Sequence, residues 1–454
     1  MSMQEYFAAN ADRHLEEFFD FLRIPSISAD PAHNVDVARC GLWLADRLND
    51  IGVPHVELVD ASTHPLVVAR WEVDPAQKTL LVYGHYDVQP IDPLELWVSP
   101  PFEPTIRDGK IYARGSADMK SSMITFIQAL EAMTVDGGAP PLNLILLFEG
   151  EEESSGRVIT KFLTEHPDQL KCDAILNLDG AFPALDQPGF GVTLKGGMLF
   201  ELHIRTGESD LHSGRYGAAV PNANQVMAKL AATFHTPEGA VAIDGFYDDV
   251  PELTEADRAE IAASAEMMLP ILEESGAFVE WGEPGYTAAE RAGARPTLDF
   301  NGIWGGFTGE GGKTVTPAEA HAKISCRMVP NQDGKRLFDC IVAHIEKHIP
   351  DGVKWEANYF GGSPAYSTPR DNWALQVAAS AMSDVFGKSP VFYRVGGSVP
   401  ITIKFKQVLG VDTVTCGFTM PGSQIHAPNE WFRVEDYPTA QKTWVELLSA
   451  FGEA

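Results

Sequence analysis

The chain has 454 residues, 44% of them apolar and 21% charged, with a formal net charge of −29. That length exceeds one ordinary core and makes two domains the expectation, while the composition excludes extended disorder. The acidic excess excludes a nucleic-acid partner, which needs a basic footprint, and excludes attraction to an anionic membrane.

The first 22 residues, MSMQEYFAANADRHLEEFFDFL, carry an acidic amphipathic helix pattern over 3–22. They lack the basic start and apolar middle of a signal peptide. No run reaches the roughly 18 apolar residues of a membrane span. Cys40, Cys172, Cys326, Cys340 and Cys416 are far apart, with no CxxC pair. Free thiols in a reducing compartment fit that spacing, and a cytoplasmic location is the expectation.

A second helix pattern covers 35–51, and apolar strands follow at 65–71 (PLVVARW) and 79–84 (TLLVYG). DMKSSMITFIQALEAM, from 118 to 133, reads as a helix, LNLILLF at 142–148 as a strand, and 157–165 as a helix. CDAILNLDG at 172–180 is another apolar strand. Strand and helix alternation of this kind predicts an α/β domain with a mostly parallel sheet flanked by helices. From about 192 the pattern changes: MLFELHIRTG at 198–207 and AHAKISCRMVP at 320–330 alternate apolar and polar residues, as in a sheet wet on one face. Helices are expected at 222–234 and 253–275. Past 367 the first texture resumes, with a helix at 372–386 and the apolar run VLGVDTVTCGF at 408–418. The expected organisation is a domain of residues 1–191 and 367–454 interrupted by an α+β domain of residues 192–366.

GFTGEGGKT, from 306, imitates a phosphate loop, but the glycine needed five places before Gly312 is Phe307. No long helix follows, so nucleotide binding is set aside.

The informative residues stand at strand ends. TLLVYG runs into His85 and Asp87, LNLILLF into Glu151, Glu152 and Glu153, and CDAILNL into Asp179. In a parallel sheet the strand C-termini share one edge, where ligands bind. Taken singly, Asp118 would be a helix cap, the glutamates a solvated loop and Asp179 a turn residue. Together at one edge they form a donor set of carboxylates and imidazole that suits zinc, or manganese or cobalt. The i, i+2 spacing of His85 and Asp87 allows Asp87 to hold the imidazole nitrogen that does not face the metal.

GHYDVQP, ARGSADMKSS, EGEEESSG and LDG, followed by ESDLHSGRYG, KISCRMVPNQ, VGGSVP and GSQIHAPNE, resemble in order and spacing the motif series of a metallopeptidase family. Carnosinase-type cytosolic dipeptidases, aminoacylase, acetylornithine deacetylase and the glutamate carboxypeptidases belong to it, and the dipeptidase branch is the nearest. The resemblance implies two divalent metal ions about 3.5 Å apart. Asp118 would bridge them, with His85 and Asp179 on one and Glu153 and His426 on the other. It also implies Glu152 as general base, a role for Asp87 beside His85, and a cis peptide after Asp118. The insertion becomes a lid and dimerisation domain carrying His212 for the oxyanion and Arg327 for the substrate's carboxylate, with Thr314 and Ser398 as further substrate contacts. Glycine-containing segments at 190–197 and 361–367 suit hinges.

The implied reaction is hydrolysis of a dipeptide by metal-activated water, in a homodimer. An N-acyl-amino-acid deacylase, a deacetylase or a carbamoyl hydrolase would use the same platform. A non-catalytic binding protein would be signalled by loss of Glu152 or of a ligand, and all are present.

Overall fold

A computed structural model describes residues 2–60, 62–268, 271–396 and 400–454. The chain divides into two compact units, one of Met1–Val192, Thr368–Tyr393 and Lys404–Ala454, the other of Thr193–Ser367 and Arg394–Ile403. The short return of Arg394–Ile403 to the second unit has no counterpart in the sequence reading.

In chain order, the first unit supplies helices α1 (Ala11–Leu22), α2 (Asn34–Asp50), α3 (Lys120–Thr134) and α4 (Arg157–Glu165). Its strands before the insertion are β1 (His55–Val59), β2 (Leu66–Trp71), β3 (Thr79–His85), β4 (Asn143–Glu149) and β5 (Ala174–Asn177). The insertion carries β6 (Gly196–Arg205), β7 (Thr297–Gly305), β8 (Glu319–Met328) and β9 (Lys354–Ser363), with helices α5 (Ala223–Ala231) and α6 (Gly334–His348). Helices α7 (Trp373–Phe386) and α8 (Asp436–Glu453) and strand β10 (Thr413–Thr415) complete the first unit.

The main sheet of the first unit runs in the order β1-β2-β4-β3-β5-β10. Strands β4, β3, β5 and β10 are parallel, whereas β2 and β1 are added antiparallel at one edge. Leu80, Val82, Leu144, Leu146, Phe148, Ala174 and Leu176 share one core with apolar residues of α1, α2, α3, α7 and α8. The residues between them, such as Leu81, Tyr83, Ile145 and Leu147, are buried as well. That double burial is why these strands read as continuous apolar runs.

The second unit holds an antiparallel sheet in the order β7-β8-β6-β9. Met198, Phe200, Leu202 and Ile204 of β6 and Ala320, Ala322, Ile324 and Cys326 of β8 face a core that α5 and α6 close. The alternate residues point to the open face, as the period-two pattern predicts.

Several boundaries differ from the sequence reading. The opening helix is broken at Asn10 into Met3–Ala9 and Ala11–Leu22. The helix expected from Asp118 starts at Lys120, and its cap position is Met119, so Asp118 lies in the preceding loop and is no helix cap. The 253–275 pattern contains helices Glu255–Ala265 and Ile271–Ser275, and residues 269–270 lie outside the described chain. The run 408–418 spans the end of the helix Pro400–Leu409, then β10. Strand β1 was not anticipated.

Candidate metal centre

The parallel strands fix the position of the chemistry. His85 ends β3 directly beside Glu149, which ends β4, and Tyr83 pairs with Asn177 at the end of β5. The loops after β5 and β10 then approach closely. A Cβ on Gly180 would lie 2.5 Å from the Gly417 nitrogen, and one on Gly417 would lie 2.3 Å from the Gly180 oxygen. Only glycine permits that contact, and Asp179 is the residue just before Gly180.

The four glutamates of EGEEE have three fates. Glu149 is buried and accepts the Tyr83 hydroxyl at 2.7 Å. Burial raises its pKa to about 8, so it is mostly protonated at neutral pH. Glu151 turns to the start of α4, accepting the Val158 N–H at 2.8 Å and Arg157 at 3.2 Å. It neutralises the helix N-terminus. Glu152 and Glu153 stay at the sheet edge, their amides donating to Asp87 Oδ1 at 3.2 Å and Oδ2 at 3.0 Å.

Donor atoms of His85, Asp118 and Asp179 lie within 4.8 Å of one another, and so do those of Asp118, Glu153 and His426. Asp118 is common to both groups. His85 Nε2 is 3.3 Å from Asp118 Oδ1 and 4.0 Å from Asp179 Oδ2. On the other side, His426 Nε2 is 2.9 Å from Asp118 Oδ2 and 3.2 Å from Glu153 Oε1. Gln89 donates to the second Glu153 oxygen at 2.6 Å. The peptide between Asp118 and Met119 is cis.

His85 Nδ1 lies 3.2 Å from the Asp87 carbonyl oxygen and 3.5 Å from its carboxylate. Asp87 therefore orients the imidazole mainly through its backbone. Its carboxylate fixes the Glu152–Glu153 turn instead.

The titration of the cluster is that of acids and imidazoles crowded into a poorly solvated place. Burial raises Glu152 to about 8 and Asp179 to about 7, with Asp118 adding repulsion on Asp179. Hydrogen bonding to Asp118 and then Glu153 raises His426 to about 10. His85 also lies well above the ordinary imidazole value, because Asp118 and Asp87 outweigh the opposing effect of burial. Burial opposes the charge of Asp118, yet hydrogen bonds from His426 and His85 hold its pKa down.

These motifs fall within residues 81–450, which match the peptidase family M20/M25/M40. The chain belongs to that family. It is 30% identical to the Cys-Gly metallodipeptidase DUG1 of Candida albicans, over 97% of this chain and 95% of that protein. Identity to the Beta-Ala-His dipeptidase of Homo sapiens is 25%, over 97% and 90% respectively. Among solved structures, the M20 family metallo-carboxypeptidase Sso-CP2 from Sulfolobus solfataricus superposes with a TM-score of 0.81 at 31% identity, covering 97% of this chain and 99% of that one.

One residue of this M20 chain went unassigned in the sequence. Glu430, the last residue of GSQIHAPNE, is fully buried. Its carboxylate accepts from Arg114 at 2.7 Å and from the amides of Gly115, Ala117 and Asp118 at 2.9, 2.8 and 3.0 Å. It therefore holds the loop that presents Asp118. Its place four residues after His426 was the available signal.

In the second unit, His212 pairs with Val315 in a two-residue strand, and the Ser213 amide donates to the Thr314 carbonyl at 3.1 Å. His212 and Thr314 are thus neighbours. His212 is exposed, and its Nδ1 accepts the Gly214 N–H at 3.0 Å. Arg327 lies on the open face of β8, opposite Gly197 of β6. Ser398 lies outside the described residues. Among the described residues no helix is long and apolar enough to cross a membrane.

Proposed function

We propose that the chain is a metal-dependent dipeptidase that hydrolyses the peptide bond of small dipeptides. The observation that carries this reading is the pair of three-donor groups sharing Asp118 at the C-terminal edge of the sheet. Each group joins two carboxylates to one imidazole, a donor set that fits zinc, with manganese or cobalt as alternatives. His85, Asp118 and Asp179 would hold one ion, and Asp118, Glu153 and His426 a second. Bound ions would supply Lewis-acid polarisation of the amide carbonyl and acidify water.

Glu152 is the general base. It takes the proton from the attacking water and passes it to the departing amine, as a carboxylate whose pKa burial has moved toward neutrality can do. Asp87 keeps the Glu152 turn and the His85 ring in place. Because His212 Nδ1 is an acceptor, the neutral ring carries its proton on Nε2, where it can donate to an oxyanion. Arg327 offers a planar fork to a terminal carboxylate. Thr314 and Ser398 complete the substrate contacts, the insertion serves as lid, and the active form is a homodimer. A reducing, cytoplasmic setting accords with the five free cysteines.

The likeness to DUG1 and to Beta-Ala-His dipeptidase favours dipeptides as substrates. The equally strong likeness to a metallo-carboxypeptidase favours longer peptides with a free C-terminus as a second reading. A hydrolysis panel separates them: free dipeptides, tripeptides, C-terminally amidated dipeptides and N-acyl amino acids, each with and without a chelator. Cleavage of free dipeptides alone, abolished by the chelator and restored by zinc or manganese, is the expected result. Preferential release from tripeptides would select the carboxypeptidase, and release only from N-acyl amino acids would select the deacylase.

A further inference from the structure

The open face of the second unit's sheet carries a polar row that the peptidase reading does not use. His321 of β8 stands directly opposite His203 of β6, which in turn stands opposite Glu356 of β9, and Trp304 of β7 faces His321 from the other side. The register therefore places four side chains side by side across four strands. The two imidazoles meet through Nδ1, 2.6 Å apart.

Two neutral imidazoles that close must share one proton, so one Nδ1 is a bare acceptor. The surroundings decide which. His203 Nε2 is 3.3 Å from Glu201 Oε2, so its proton is held on that side and its Nδ1 lone pair faces His321. Lys323 anchors the other Glu201 oxygen at 3.3 Å. A carboxylate on the far nitrogen of a histidine is how metal-ligating imidazoles are oriented and made more basic. The His321 ring is held in plane by stacking on Trp304, with centroids 5.2 Å apart and planes 21° from parallel.

We propose that His203 and His321 form a second metal site, independent of the carboxylate cluster, that takes a borderline divalent transition ion such as Cu2+, Ni2+ or Zn2+ through the two Nδ1 atoms. The ion replaces the shared proton, which leaves His321 Nδ1 as that ring takes up a proton from solvent on Nε2, so both rings bind as neutral imidazoles. With metal–nitrogen bonds of roughly 2.0–2.1 Å, the two nitrogens separate to about 2.9 Å on a square-planar ion and to about 3.3 Å on a tetrahedral one. Both rings are partly exposed and free to make that adjustment. Remaining coordination positions open onto a cavity of about 340 Å³ that Arg205, Glu319, Lys354 and Glu356 also line. Its two acids offset its two bases, and Arg205 is already paired with Glu208 and Glu319, so the cavity presents no net barrier to a cation. Imidazole pairs select soft-to-borderline ions, which separates this site from magnesium or calcium.

The test titrates Cu2+ into the full-length protein carrying Asp118→Asn, which weakens the first-unit cluster, and reads the electron paramagnetic resonance spectrum. The expected result is one equivalent with coupling to two nitrogens, absent when either His203→Gln or His321→Gln is added. Glu201→Gln should weaken that equivalent roughly tenfold without removing it. Circular dichroism shows whether each variant is folded. A Cu2+ spectrum and stoichiometry unchanged by both histidine substitutions would overturn the proposal, and would leave the peptidase reading untouched.

Discussion

The two sheets of this molecule handle polar chemistry in opposite ways. In the first unit the parallel strands are buried on both faces, so polar residues gather at the strand ends, and the chemistry-bearing ones where strands stop. His85, Glu149 and the 150–153 loop stand at those ends. In the second unit one face is open, and polar residues recur at every second position along β8 and through Glu201, His203 and Arg205 of β6. The first arrangement concentrates like charges in a poorly solvated place and shifts their pKa values. The second spreads them, and carries its histidine pair in mid-strand. A sheet buried on both sides thus acts as a funnel for function toward one edge, and a half-exposed sheet as a panel.

The sharpest break of this comparison is at the edge itself. Glu152→Gln keeps the shape and removes the proton acceptor, so turnover should fall by about 10²–10⁴-fold while metal content stays at the wild-type value. Near-normal turnover, measured with a cleaved dipeptide, would remove Glu152 from its role. Glu430→Ala leaves Arg114 as an unpaired buried charge and frees three amides. Denaturant unfolding should register a loss of about 3–5 kcal/mol, and a loss under 1 kcal/mol would mean that the loop does not depend on Glu430.

The burial contrast has its own test in one residue type. Leu146 of β4 is 1% exposed and Leu199 of β6 is 54% exposed. Leu146→Ala should cost about 2–5 kcal/mol, and Leu199→Ala no more than about 0.5 kcal/mol. Equal costs would contradict the two-faced description of the second sheet. A further effect is in pH. Without metal, His426 titrates at about 10 and Asp179 at about 7. Metal must displace those protons, so uptake at neutral pH releases protons and affinity rises with pH, by about tenfold per unit for each proton displaced. Calorimetry in buffers of different ionisation enthalpy reads that number, and uptake without proton release would show the ligands to be free already.

The parts legible in the sequence were those with local causes. Strands β3 and β4 announced themselves as apolar runs, and the residues ending them followed at once. The period-two pattern in MLFELHIRTG gave the half-wet strand β6. Strand β1 was missed because HVELV is a five-residue, partly exposed edge whose alternation is too short to stand out. The break at Asn10 was missed because the apolar spacing continues through it. Apart from its place four residues after His426, Glu430 has no local signal, since its partners are more than 300 residues earlier and most are backbone amides. The meeting of His203 with His321, 118 residues apart, depends on a register that only the folded sheet defines. The i, i+2 spacing put Asp87 beside His85, but the destination of its carboxylate depended on the turn at Glu152.

The central claim is that the carboxylates and imidazoles at the first sheet's edge are gathered to hold divalent ions. Elemental analysis of extensively dialysed wild-type and Asp118→Asn protein tests it most directly. Two zinc or manganese ions per wild-type chain, both depleted when the shared aspartate is replaced, is the predicted result. A wild-type chain that retains no such ion, or a substituted chain that keeps both, would contradict it.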